Sequence, residues 1–377
     1  MQSVQGAKLL VAVSICFFFG SIHAYSVLLA PLQAWLDIDR TAASFGYSAA
    51  VLALTAGVFL NGQLFQAVPA SQRLLASGGV AAAGLGLAMA FPGVLSLVIG
   101  FGVMHGLANG LAYGLSMSLA AQAMPGREAT AMGLATAAYG LGAVLFAQLY
   151  AVLLLQLGVA RLFLALAILL LLICFAGALI IRRAPLPVPS AASACKARIR
   201  GIWKLWSCYF LGAFSGIMIL GHAPWVARDL AGSGSHAGLA AGAVSLGSVA
   251  GAYLGGILAE RLSARASLSM ALAVQALVMC ALLFLETAAL VLVALLLSGL
   301  CYGALIAAVP AAVRRLWGGR SFESAYGKIF TAWGAAGLIG PLVAGLIYDI
   351  TSHYTLALVL AACASLLSVL LTRGEIE

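Results

Sequence analysis

The chain has 377 residues, of which 64% are hydrophobic and only 8% charged, with a formal net charge of +9. A soluble domain is about 45–50% apolar and about 25% charged, so an ordinary globule is excluded, and the hydrophobicity excludes disorder. The 43 glycines fall within apolar runs and lack a three-residue period, which excludes collagen.

A polytopic membrane protein remains. Spanning segments need roughly 20 apolar residues. In chain order, apolar runs occupy 9–34, 42–66, 73–91, 94–122, 129–156, 160–181, 203–227, 236–259, 266–285, 288–312, 324–348 and 352–372. They predict an all-α protein of twelve transmembrane helices, because helices satisfy their backbone groups internally and a barrel would show short alternating segments. The first run, flanked by Lys8, is too long for a signal peptide and eleven more follow it. The longest polar interval, Arg182 to Lys204, holds Pro185, Pro187, Pro189 and a basic stretch, and it divides the runs six and six. The expected organisation is an N-terminal six-helix bundle (1–181), a cytoplasmic linker (182–202) and a C-terminal six-helix bundle (203–377).

The positive charge has a topological reading. With the N-terminus inside, sixteen of the nineteen Lys and Arg residues lie on the cytoplasmic side or its edge, leaving only Arg40, Arg161 and Arg228 outside. That bias sets both termini in the cytoplasm of a multi-pass bacterial inner-membrane protein. The partner of the basic residues is then the lipid bilayer, including anionic headgroups at the linker, and not nucleic acid. The seven cysteines form no CxxC pair and six lie in or beside apolar runs, so they read as small hydrophobes. No cofactor or metal is expected, and the chain is expected to be a monomer.

Short internal matches support the division. Gly62-Gln63-Leu64-Phe65-Gln66 has a counterpart in Gly256-Ile257-Leu258-Ala259-Glu260, at an offset of 194, and Thr136-Ala137 with Gly142 matches Thr331-Ala332 with Gly337, at 195. Two related six-helix halves are expected.

The segment Gly256 to Arg265, with Glu260, Arg261 and Arg265, resembles the signature loop of the major facilitator superfamily. In that family the acid can pair with arginine and cap helix ends, and so latches neighbouring helices in one state. In the first half Gln66 stands in the acid's place and Arg73 is what remains of the basic part. Residues 106–142 and 302–349, rich in glycine and aromatics, resemble the monocarboxylate porter and oxalate–formate antiporter branch. The branch's arginine of span eight is absent, since no charge occurs from 237 to 259, and Trp333 stands where the antiporters carry a lysine of span eleven. The resemblance implies the major facilitator fold, but the missing cations leave oxalate without its partners.

Ionisable groups inside a membrane are functional candidates by default. No Asp or Glu lies well inside a span. His23 falls near the middle of span one, and His105, Asn109 and Tyr113 share one face of span four at i, i+4, i+8. These four are the expected substrate-binding residues, with Tyr139 and Trp333 as aromatic neighbours in paired spans. Each also has a packing reading, as an interhelical hydrogen bond or a core ring. The expected gating set is Glu260, Arg261, Arg265, His222 beside Pro224, and Lys328; snorkelling to the interface is the alternative for Lys328. Gly102, Gly106, Gly110 and Gly114 recur every four residues and read as a packing surface.

There is no nucleotide-binding loop and no HExxH or GxSxG cluster, so neither an ATP-driven pump nor an enzyme is expected. The expected function is secondary or facilitative transport of a small organic anion, a monocarboxylate by resemblance, by alternating access, with protons or a counter-transported anion as the coupling species. The alternative is a larger, mostly apolar metabolite such as a drug or siderophore.

Overall fold

In the computed structural model, which describes residues 2–182, 199–232 and 237–373, every regular element is helical. Helix α1 runs Gln2–Phe19, tightens into a 3₁₀ turn at Gly20–Ala24 and continues as Tyr25–Leu36. Then come α2 (Arg40–Gln63), α3 (Ala70–Ala90) and α4 (Val94–Ala123). Within α4, Leu97–His105 is π-helical. The stretch Glu128–Ile181 breaks at Gly158 (φ 70°, ψ 176°) into α5 (128–157) and α6 (159–181). After α7 (Ile199–Ala231), α8 (Ala237–Arg261) and α9 (Ala264–Leu282), the stretch Ala288–Thr351 breaks at Gly318 (φ 69°, ψ 175°) into α10 (288–317) and α11 (319–351), and α12 is Thr355–Arg373. That backbone region is essentially reserved for glycine, which is why both breaks fall there.

Eleven helical stretches among the described residues are long and apolar enough to cross a membrane. One of them is the 54-residue stretch Glu128–Ile181, which as a straight helix would measure about 80 Å, more than twice a hydrocarbon core. The expected linker lies mostly outside the described residues. Of its described residues, 199–202 are helical and continuous with α7.

Two compact units form. The first contains Met1–Gly126, Ala138–Cys195 and Arg320–Gly327; the second contains Arg127–Ala137, Lys196–Gly319 and Lys328–Glu377. The starts of α5 and α11 thus group with the opposite part of the chain from the one the sequence division assigns them.

Within the first unit, α4 lies backbone-to-backbone on α2. A Cβ at Gly102 would sit 2.7 Å from Ala49 Cβ, and one at Gly106 would sit 2.5 Å from the Ala50 carbonyl. One at Gly110 would overlap the Leu54 carbonyl and reach Gly57 Cα at 2.9 Å. Small residues permit this approach, and without a hydrophobic drive between helices in lipid, such van der Waals contact holds them together. The second unit repeats the pattern, with Gly299 on Val244 and Gly303 on Ser248. Ala50 and Leu54 precede Val244 and Ser248 by 194 positions, and Gly106 and Gly110 precede Gly299 and Gly303 by 193.

Gly110→Ala should therefore destabilise the protein by about 1–3 kcal/mol through overpacking. Gly86→Ala has open space around the new methyl. It should be neutral or stabilising by about 0.5–1 kcal/mol, the helical preference of alanine. Thermal unfolding in detergent separates the two, and equal melting temperatures would refute the backbone contact.

Candidate functional site

The polar residues of the first unit's apolar runs meet around the irregular turn of α1. The 3₁₀ turn carries His23, whose Nδ1 lies 2.7 Å from Tyr47 Oη on α2. The imidazole also meets the Tyr139 ring edge-on at 5.3 Å. Tyr139 Oη donates to Asn109 Oδ1 (3.0 Å), and Asn109 Nδ2 donates to the Phe19 carbonyl (2.7 Å) at the start of the turn. Tyr113 packs against Tyr139 at 5.0 Å between ring centroids. His23, Tyr47 and Tyr139 are half-buried, whereas Asn109, Tyr113 and His105 are buried.

Five of the six expected binding residues, all but Trp333, thus lie in the first unit. His105 stands apart chemically: it is 0% exposed and lies between the Phe101 and Phe19 rings at 5.1 and 6.4 Å. Trp333 belongs to the second unit, where Nε1 donates to Tyr302 Oη at 2.9 Å. That bond repeats the one from Tyr139 to Asn109, with Trp333 lying 194 positions after Tyr139 and Tyr302 lying 193 after Asn109. Sequence reasoning missed Tyr47, a single tyrosine in an apolar run whose partner lies 24 residues away.

The expected gating residues divide differently. The Glu260 carboxylate caps a helix: Oε2 accepts from the backbone N–H of Ala129 (2.8 Å) and Thr130 (3.2 Å), at the start of α5. Those first-turn N–H groups have no intrahelical partner, and the positive end of the helix favours an anion there. The cation that braces this corner is Arg315, donating to the carbonyls of Leu262 (3.0 Å) and Glu260 (3.3 Å). Arg261, Arg265 and Lys328 are exposed.

In the first half the acid missing at Gln66 is supplied from elsewhere. Arg73 Nη1 donates to Glu323 Oε2 and to Asn61 Oδ1, both at 3.0 Å, and the Arg73 and Glu323 side chains are 5% and 13% exposed. Beside them Gln63 Nε2 donates to the Ser324 carbonyl at 2.8 Å. Gly62 abuts the Glu323 carbonyl as Gly256 abuts that of Ala129. Both members of that contact recur at an offset of 194.

At the other end of α7, His222 Nε2 donates to the Pro341 carbonyl (3.1 Å). A carbonyl can only accept, so Nδ1 is the acceptor and takes the Tyr354 hydroxyl at 3.0 Å. Burial pushes the Tyr354 phenol up to about 12, which keeps that donor protonated. Asp229 accepts from the Tyr354 backbone N–H (2.7 Å) and pairs with His353 Nδ1 (3.0 Å). His222 therefore ties α7 to α11 and to the residue that precedes α12.

Removing one partner of a buried ion pair leaves an uncompensated charge, so Arg73→Ala should destabilise by about 3–5 kcal/mol. Glu260→Gln keeps an acceptor but loses the charge at a helix start, a loss of about 0.3–1 kcal/mol. Thermal unfolding in detergent should show that small loss, and an unchanged melting temperature would refute the cap.

Residues 205–375 match the Major Facilitator Superfamily. The uncharacterized MFS-type transporter YhjX of Escherichia coli K12 is 25% identical over 335 residues, covering 84% of this chain and 82% of that protein. The fold is similar to that of the Major Facilitator Superfamily transporter FucP in its outward conformation (TM-score 0.77, 16% identity, 97% of each chain). It is also similar to the human organic anion transporter MFSD10 (TM-score 0.75, 15% identity, 97% of this chain and 99% of that one). The proton:xylose symporter XylE gives a TM-score of 0.75 at 16% identity, over 100% of this chain and 96% of that one. The C-terminal part of the chain thus resembles that family, and the fold is shared with these solved structures over nearly the whole length.

Proposed function

We propose that the chain is a secondary transporter that moves a small organic anion, a monocarboxylate, by alternating access. Its architecture is read as twelve spans in two pseudo-symmetric six-helix halves, with both termini cytoplasmic in a bacterial inner membrane. The break at Gly158 supports two spans within Glu128–Ile181, and the contacts recurring at 193 or 194 positions support related halves. The charge bias supports the orientation. Structural neighbours include a proton:xylose symporter and an organic anion transporter, so the fold is compatible with either class and the substrate reading rests on side chains.

The carrying observation is the half-buried His23–Tyr47 pair. Every described Asp and Glu lies at or near a helix end, so a cationic substrate would find no counter-charge along the spans. With the imidazole neutral and its proton on Nε2, Tyr47 donates to Nδ1. Once Nδ1 is protonated it donates to Tyr47 Oη, and the intact phenolic O–H turns toward another acceptor. The result is a cation beside a free O–H, a pair that suits a carboxylate and couples anion binding to proton uptake.

One feature favours the alternative of a larger apolar substrate. Trp206, Phe210 and Phe214 stack along α7 with centroids 5.4 and 6.1 Å apart. The indole N–H groups of Trp206 and Trp333 are turned to Thr331 and Tyr302, and the Trp333 ring stacks on Phe330 at 5.1 Å.

The test is uptake of a labelled short-chain monocarboxylate into proteoliposomes. Uptake should rise as the outside is acidified. His23→Gln should flatten the pH profile, and Tyr47→Phe should lower uptake on the order of tenfold, the loss of one charge-assisted hydrogen bond of about 1.5 kcal/mol. Uptake of neutral sugars in preference to carboxylates, or an unchanged profile in His23→Gln, would overturn the proposal. Preference for large aromatic acids would favour the alternative.

A further inference from the structure

His105 is fully buried, and neither ring nitrogen has a hydrogen-bond partner among the described residues. An imidazole always carries at least one donor, and when neutral one acceptor, so burying both unpaired is unfavourable. The position 193 residues later is Ser298, also buried, and its hydroxyl accepts from Gln275 Nε2 at 3.0 Å. The same site in the second unit is thus satisfied, which makes His105 the anomaly.

His105 is the last residue of the π-helical stretch Leu97–His105. That stretch is nine residues long, where π-helix usually appears as a single-turn bulge at functional sites. Against it lies the opposite irregularity, the overwound Gly20–Ala24 turn of α1. The two meet through Phe19 on His105, Tyr25 on Phe101 (4.9 Å), and the Asn109 bond to the Phe19 carbonyl. The π stretch is also bare where it meets its other neighbours. Gly100 faces Gly84 of α3, and Gly102 faces Gly46 and Ala49 of α2.

We propose that His105 is a proton-binding site, closed in this structure, and that rewinding of Leu97–His105 from π to α opens it. Taking up one residue at 3.6 per turn rotates one side of α4 by about 100° against the other. His105, at the boundary, leaves its slot between Phe19 and Phe101. The titratable groups on the surrounding elements are Cys16, His23 and Tyr25 on α1, Tyr47 on α2, Tyr113 on α4 and, beside it, Tyr139 on α5. The charged side chains of α1, α2 and α3, namely Lys8, Arg40 and Arg73, lie toward helix ends. None of these groups supplies an anion to hold a proton on His105 in the closed form, so the proton binds the open one and acid favours opening. For an opened histidine with an ordinary pKa of about 6.5, lowering the pH from about 7.5 to about 5.5 raises the open population about tenfold. This inference goes beyond the anion reading and is testable without any substrate.

The experiment is hydrogen–deuterium exchange of the amides of 97–105 in the purified full chain at both pH values, corrected for intrinsic exchange. In the unmodified protein the opening constant should rise about tenfold on acidification, by the same ordinary histidine pKa. His105→Phe and His105→Gln should each abolish that response, and His23→Gln should retain it. Two substitutions guard against a misfolded variant. A pH-independent opening constant in the unmodified protein, a response that survives in either His105 variant, or one that disappears with His23→Gln would each overturn the proposal. Failure of monocarboxylate uptake with this exchange pattern intact would count against the substrate alone.

Discussion

Every described Asp and Glu in this protein lies at or near a helix end, and the ends use these acids to hold one another. A membrane interior tolerates few ions, so the acids sit where helices begin or stop. Three of them serve as caps. Asp39 accepts from Ala42 N–H at the start of its own helix. Glu260 accepts from the first turn of α5, and Asp229 from Tyr354 just before α12. In the last two cases the carboxylate belongs to a different helix from the N–H groups it satisfies, so one interaction both neutralises orphan donors and pins two helix ends. Glu323 achieves the same pinning with the Arg73 guanidinium. Partners of this kind place the ionic contacts of both halves at the glycines Gly62 and Gly256, where backbones come close enough for a short carboxylate to reach across.

Much of the architecture is legible in the sequence because it is written locally. Hydropathy marks the helices, and glycines at four-residue spacing mark the face of α4 that lies on α2. The 194-residue offset, visible in a few residues of sequence, reappears as shared contacts: Gly133 on Ala252 and Gly327 on Val58 are the same pair, once in each unit. The segment Gly256 to Arg265 implies an acid that pairs with arginine and caps helix ends, and the structure shows the capping at Glu260. An acid next to an arginine in sequence suggests an ion pair, whereas Glu260 satisfies the backbone of a helix 130 residues earlier. Sequence carries no sign of a backbone N–H that lacks a partner. For the same reason Gln66 looked like the loss of a latch, while the acid that completes it, Glu323, lies 250 residues from Arg73.

The mid-chain site was half legible. Histidine, asparagine and tyrosine stand out in apolar runs, and their i, i+4 spacing assigns a face. Spacing does not say which of them remains available. Asn109 spends both ends of its amide on Phe19 and Tyr139, His105 is enclosed by rings, and His23 is half-buried with the Tyr47 hydroxyl beside it. Nor does the hydrophobic period reveal winding. The sequences of Gly20–Ala24 and Leu97–His105 read as ordinary apolar helix, and the 3₁₀ and π geometries arise from how α1 and α4 fit together.

That fit explains why the polar chemistry sits where it does. A regular helix consumes its own carbonyls and offers nothing to a neighbour. Where α1 tightens, the Phe19 carbonyl is turned to Asn109, which in turn fixes Tyr139 beside His23. Where α4 widens, His105 is carried into the aromatic contact that encloses it. Irregular backbone survives in an apolar medium only when other protein groups satisfy it. The Asn109 amide does this for α1, while glycines let α2 and α3 close around α4. The two histidines are thus held by departures from regular winding that support each other, and any change in one winding must be felt at both imidazoles.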